Sequence, residues 1–471
     1  MLPAMFDVVV AGGGNAALCA AIEARRRGAT VLLLERTARE WRGGNSKYTR
    51  NVRCAGDRYP EEELLADLAA VTGAGMDRDL AALTVERSRE VPAWLGAQGV
   101  RWQPALRGTL QLSRTNHFFL GGGKALVNVE YEAARRLGVE VRYDSVVAEL
   151  LWRGGRCDGV LVEAATGAGG PGGPGGAGAR TAVPARAVVV ASGGYEANLD
   201  WLAEHWGEGV RNYRVRGSRW NDGRLLRHLL DAGALPRGNP RGFHAIAVDA
   251  RSPRFDGGIV TRVDSVPFGI VVNRDAARFA DEGADLWPRR YASWGRLIAL
   301  QPGQVAWSVF DARCAGRFIP CVYPPLRAAT VPELAGSLGL DPAALTATVD
   351  DYNRAVRPGE HDPGRLDGCA TEGLDPPKSH WALPIDTPPY CAYPLSPGIT
   401  FTYLGVAVDR EARVLRGDGT PFENVYAAGE VMAGSILREG YLAGFGMTIG
   451  AVFGRLAGAA GAGHASRSDG G

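Results

Sequence analysis

The segment from Phe6 to Glu35 constrains this chain most. Phe6–Val10 is a continuous apolar run and reads as a strand buried on both faces. It enters Gly12-Gly13-Gly14-Asn15-Ala16-Ala17, continues as a helix-like run to Arg27, and returns as a second strand, Thr30–Leu34, closed by Glu35 and Arg36. This is a β-α-β unit with a Gly-x-Gly-x-x-Ala turn. Gly12 and Gly14 let the backbone bend tightly and approach a pyrophosphate, which then rests on the positive end of the helix beside Asn15 and Ala16. Glu35 falls about 20 residues past the turn, where an acid accepts from a ribose hydroxyl and disfavours a 2′-phosphate. With 65 glycines in the chain, the bare motif says little. The order strand, helix, strand, acid is what marks a dinucleotide site.

The 471 residues suffice for two or three domains, and 46% of them are apolar, enough for a large core. Net charge is +2, from 53 basic and 51 acidic residues, which argues against nucleic acid or an anionic membrane as partner. The 7 cysteines form no Cys-x-x-Cys pair, so no metal, cluster or haem site is expected, and reduced, packed thiols are. No basic, apolar leader and no bilayer-length apolar stretch is evident, so a soluble, cytoplasmic protein that does not span a membrane is expected.

Further along, Gly43-Gly44-Asn45-Ser46 and Ser192-Gly193-Gly194 are two more places where backbone can approach a bound group. Residues 61–99 read as core-facing helices. A helix opens at Gly121–Lys124, and strands follow at Val139–Tyr143 and Val146–Trp152, the latter carrying Val147. Residues 166–179 are Gly/Pro-rich low complexity, expected to be a flexible loop tip between two strands. From residue 240 the texture changes, with strands at Gly269–Asn273 and Val305–Phe310, a helix at Asp341–Ala355, and a proline-dense, irregular stretch at 357–398. After it come short strands at Gly405–Asp409 and Val414–Leu415, then a buried strand ending in Gly429-Glu430. Gly440–Gly458 is a Gly/Ala-rich helix, with Gly446 and Met447, suited to packing on a flat cofactor. The expected fold is therefore α/β: a Rossmann-type domain split into 1–239 and 399–471, with an α+β capping domain inserted at 240–398.

These segments, together with Arg278-Phe279-x-Asp281-Glu282 and Tyr426–Glu430, resemble the flavoprotein subunit family of fumarate reductase and succinate dehydrogenase. Within it the chain looks most like the FAD-dependent tricarballylate dehydrogenases, through stretches such as WRGGNSKYTRN (Trp41–Asn51), FFLGGGKALVN (Phe118–Asn128) and GITFTYLGVAVD (Gly398–Asp409). The resemblance implies FAD, held by Gly12, Gly14, Asn15, Ala16, Glu35, Arg36, Gly43, Gly44, Asn45, Ser46, Val147, Ser192, Gly193, Gly429, Glu430, Gly446 and Met447. Lys47 and Tyr48 stand where some members carry a flavin-linked His, so the FAD is expected to be non-covalent.

The family moves a hydride between substrate carbon and flavin N5, and a proton between the adjacent carbon and a protein group. Arg290 is the first candidate for the proton, and the longer spacing leaves Arg289 open. Arginine is a poor free base, so Arg290 binding only a carboxylate weighs equally. The resemblance places His244 where a family histidine bonds substrate carboxylate, and a packed or surface histidine is the alternative. Two departures, Thr400–Tyr403 in place of a second His and Tyr441 near an expected Arg, make a plain fumarate site doubtful. Thr402, Tyr403, Tyr441 and Arg438 are candidates to replace them, with Tyr403 or Tyr441 as alternative proton carriers. Each is equally explained as packing. Lys47, Arg50 and Arg53 form a basic cluster that suits phosphate, a carboxylate or plain solvent. The implied reaction is oxidation of a polycarboxylate such as tricarballylate to its alkene, with a separate protein or quinone as electron partner. The alternatives are a same-fold enzyme on another carboxylated substrate, or an FAD-binding protein without turnover.

Overall fold

The computed structural model describes residues 5–104, 112–165 and 180–467. The expected loop tip at 166–179 lies outside them. Strand β1 (Phe6–Ala11), helix α1 (Asn15–Arg26) and strand β2 (Val31–Leu34) form where the apolar runs place them, and β1 pairs parallel with β2, Val9 opposite Leu32. Val8, Val9 and Val10 are fully buried, roughly 1.5 to 3 kcal/mol of transfer free energy each. Strand Arg180–Val190 pairs parallel on the other side of β1, and strand Pro421–Ala427 pairs parallel beyond it, Val425 opposite Val188. One sheet is thus built from the two ends of the chain. The antiparallel strands Ser145–Arg153 and Arg156–Ala164 attach to it through Arg180–Val190.

A second, six-stranded sheet caps this unit. Its spine is Pro236–Asp249 paired antiparallel with Tyr390–Val406, joined by Ala306–Phe310 and Ile270–Val272. Helices Val331–Leu338 and Pro342–Ala355 pack on it over a separate apolar cluster. Asp341 caps the second helix by accepting from Ala344 N at 2.8 Å. The expected boundaries at 239/240 and 398/399 fall inside the two spine strands.

Tyr390–Val406 corrects the sequence reading, which took 357–398 as irregular and placed the strand at Gly405–Asp409. Proline argues against a central strand. Pro397 is tolerated because the ladder on one side is broken there: Leu395 pairs with Ala306, and Gly398 with Arg214.

The last helix runs Phe445–Arg467. It is long and apolar enough to cross a bilayer, contrary to the sequence reading, but 72% of its apolar window is buried inside the fold. Gly454 and Gly458 sit against the backbone of α1: a Cβ there would lie 2.4 Å from Ala16 O and 2.2 Å from Ala20 O. The apolarity therefore belongs to a core contact. The close packing expected against a cofactor is mostly made with α1, and only Gly446, Met447 and Gly450 reach the cofactor cavity.

Candidate active site

A long cavity runs from Glu35 and Arg36 at the end of β2, past the first turn, to His244 and Tyr441 under the cap. Its walls are the chain segments expected to hold FAD. Gly12 has φ +126°, and a Cβ on it would lie 2.3 Å from Ala191 O. One on Gly13 would meet Glu35 Oε2 at 2.3 Å. These two glycines are required by the protein's own packing. Gly14 is different: its nearest neighbour is Ser46 Oγ at 3.2 Å, and Gly44 has open space. Gly14 and Gly44 thus leave room for a close ligand, at the start of a helix with no side-chain cap. Ala16, Val147, Ser192, Gly193 and Gly429 also line the cavity.

Polar side chains stitch the walls together. Asn15 N donates to Ser46 Oγ at 3.0 Å, and Asn15 Nδ2 to Met447 O at 3.2 Å. Asn45 donates to Glu196 Oε1 at 2.5 Å and Thr400 O at 3.0 Å, and accepts from Ser218 N at 2.7 Å. Glu35 accepts from Thr37 N and Oγ1 at 3.0 Å each, Gly43 N at 3.1 Å and Tyr131 Oη at 3.2 Å. These fill the acceptor positions of a carboxylate, so a ribose hydroxyl would take the place of the longest, Tyr131. Gly43 itself does not line the cavity and serves Glu35. Arg36 pairs with Asp222 at 3.0 Å.

At the cap end, His244 and Tyr441 stack with centroids 4.0 Å apart and planes 8° from parallel, and Tyr291 meets His244 edge-on at 5.2 Å. Burial, then the charges of Arg216 and Arg262, hold the imidazole well below its usual value, so it is neutral. His244 Nδ1 bonds Thr400 Oγ1, and its buried Nε2 has no partner among the described residues. Tyr441 Oη accepts from Gly446 N at 3.0 Å, and burial keeps the phenol protonated.

The remaining sequence candidates lie elsewhere. Arg289 is bridged between Asp285 at 2.6 Å and Asp67 at 3.3 Å, so its charge is used. Thr402 Oγ1 donates to Glu430 at 3.1 Å and accepts from Tyr195 N at 3.3 Å, so it positions Glu430 and has no hydroxyl proton left for a substrate. Arg290, Tyr403 and Arg438 are outside the cavity lining, although Tyr403 Oη is buried without a partner. Arg278 and Glu282 pair at 2.5 Å and Glu282 accepts from Val271 N at 2.8 Å, so this motif braces the cap. Of the basic cluster, Lys47 donates to Trp41 O, and Arg53 is buried against Tyr59 and Ala443 O. Arg50 lies behind the cavity lining, where it meets Asp264 at 3.4 Å and its charge acts on Arg216. Sequence reading missed Arg216, Arg262 and Tyr291.

The model of the FAD binding domain family matches residues 7–444. The chain belongs to this family. It is an FAD-dependent oxidoreductase, and the open positions at Gly14 and Gly44 fit that cofactor. It is 28% identical to a probable fumarate reductase of Shewanella frigidimarina, over 98% of this chain and 75% of that one. It is 27% identical to an NADH:fumarate oxidoreductase of Klebsiella pneumoniae, over 92% of this chain but only 45% of that protein. It is 26% identical to a 3-oxosteroid 1-dehydrogenase of Mycobacterium tuberculosis, over 69% and 60%. Among solved structures, an open flavocytochrome c3 fumarate reductase superposes with a TM-score of 0.75 at 24% identity, over 98% of this chain and 79% of that one.

Proposed function

We propose that the protein dehydrogenates a carboxylic acid at a CH–CH bond, converting tricarballylate or a close analogue to its cis-aconitate-like alkene. The observation that carries this reading is the end wall of the cavity, where Arg216, a neutral His244 and Tyr441 stand together. FAD, when bound, supplies the two-electron acceptor for the hydride. Arg216 offers a cation for a carboxylate. His244 Nε2 offers a neutral hydrogen bond beside it, oriented by Thr400 and the Tyr441 stack. The proton is assigned to Tyr441, the one of the three candidates that lines the cavity. Lys47 and Tyr48 follow Ser46 and are held by Trp41 O and by Asp256 at 2.7 Å, which supports non-covalent binding of FAD. Electrons would leave to a separate protein or quinone. The charge balance and free cysteines support a cytoplasmic location.

Phe401 and Tyr441 in the cavity wall favour one second reading, a same-fold dehydrogenase or reductase on a different carboxylated substrate. Anaerobic incubation tests both. The yellow holoprotein is expected to bleach with tricarballylate. Bleaching by another acid alone would leave the second reading, and a colourless protein would overturn both.

A further inference from the structure

Where the cap meets the cavity, three buried arginines from distant segments, Arg50, Arg216 and Arg262, lie near enough for their charges to act on one another, and a single carboxylate, Asp264, serves two of them. Asp264 is 4% exposed and is already fully engaged. It takes Arg262 at 2.8 Å, Arg50 at 3.4 Å and Trp287 Nε1 at 2.7 Å. Burial pulls Arg262 down, but the charge and hydrogen bond of Asp264, together with Tyr291, more than offset this. Arg216 has no acid in contact among the described residues, and its Nε and Nη1 are buried without a partner. Burial and the neighbouring Arg262 hold both Arg50 and Arg216 down to about 10. Two positive charges thus remain unbalanced in a low-dielectric corner, an arrangement that is costly unless anions from outside complete it. Planar guanidiniums suit carboxylates in particular, because one guanidinium donates two parallel hydrogen bonds to the two carboxylate oxygens.

We propose that Arg50, Arg216 and Arg262 form one anion site that selects substrates by their number of carboxylates, with Arg216 as the specificity-determining residue. One carboxylate pairs with Arg216 on the cavity wall, and the positive charge that Asp264 leaves unbalanced on Arg50 and Arg262, just behind that wall, draws a second toward it. His244 Nε2 takes a third polar group. The reading rests on the carboxylate substrate proposed above, and it excludes monocarboxylates.

Butyrate, glutarate and tricarballylate share a three-carbon backbone and carry one, two and three carboxylates. Their binding to the holoprotein is measured by titration calorimetry and by perturbation of the flavin spectrum. Affinity is expected to rise at least tenfold from butyrate to glutarate and again to tricarballylate. Arg216→Gln should weaken glutarate and tricarballylate at least tenfold and butyrate less than threefold, with FAD content unchanged, and Arg216→Lys should restore part of the loss. Equal affinity for the three acids, no binding of either polycarboxylate, or unchanged affinity for glutarate and tricarballylate in Arg216→Gln would overturn the site. If that variant does not retain FAD, the wild-type series decides alone. Ranked binding without anaerobic bleaching would remove the oxidation chemistry and leave the site standing. Bleaching with unranked binding would do the reverse.

Discussion

In the proposed reaction, Tyr441 as proton carrier sets which direction the resting protein can start. Its hydroxyl is raised by burial and by Tyr291, and Gly446 N–H and Arg216 work against that rise without cancelling it. At neutral pH the phenol therefore holds its proton. Alkene reduction draws on that proton directly, whereas dehydrogenation needs the phenolate, whose fraction grows about tenfold per pH unit below the pKa. Anaerobic dehydrogenation should accordingly speed up with pH while reduction does not. Tyr441→Phe keeps the ring on His244 and should lower kcat by about 100-fold or more, with affinity nearly unchanged. A loss of affinity with turnover intact would instead return the proton to Arg290. The sequence marked His244, Tyr441 and Arg50, because each stands in or beside a motif. Arg216 and Arg262 were illegible. Arg216 acquires meaning from having no acid in contact among the described residues, and Arg262 from sharing its one acid with Arg50; both are properties of three segments brought together across some 200 residues.

At the scale of elements, the joint between α1 and the C-terminal helix fixes the mouth of the cofactor turn. The small-residue stripe was visible in the sequence, but its partner was not, since a flat cofactor and another helix backbone demand the same glycines. Gly458→Val places methyl groups where Ala20 O already lies and should cost about 1 to 3 kcal/mol. The shift of α1 should also lower FAD affinity. Gly463→Ala meets only the Arg467 side chain, at 3.7 Å, and should stay within about 0.5 kcal/mol. Equal melting temperatures for the two variants would refute the close-packed joint. The cap spine Tyr390–Val406 shows the opposite failure. Its prolines hid it, because a break in the neighbouring ladder cannot be read from one strand's composition.

Across the whole molecule, the cofactor sheet and the cap meet at two buried acids. Glu430 follows the last parallel strand and accepts from Thr402 N at 2.7 Å on the cap spine, while Glu196 accepts from Asn45 at 2.5 Å and Asn221 at 2.6 Å. The two carboxyls also bond each other. Burial raises both, and for Glu430 the charge of Glu196 adds to it, while the hydrogen bond with Glu430 and then those from Asn221 and Asn45 pull Glu196 part of the way back. A raised acid binds its proton more tightly in the folded chain. Its stabilising effect is complete below the unfolded value of 4.5 and is lost as pH rises through the folded value. Glu196→Gln mimics the protonated form and keeps an oxygen for Asn45 and Asn221. Its melting temperature should exceed that of the wild type at pH 8, and the gap should close toward pH 5. His244 acts in the opposite sense: its folded pKa is depressed, so stability is lost as pH falls below 6.5. That slope is common to both proteins and cancels in the difference. Parallel curves for variant and wild type would mean that the pair holds no shared proton and that the joint between the layers rests on Thr402 and Asn45 alone.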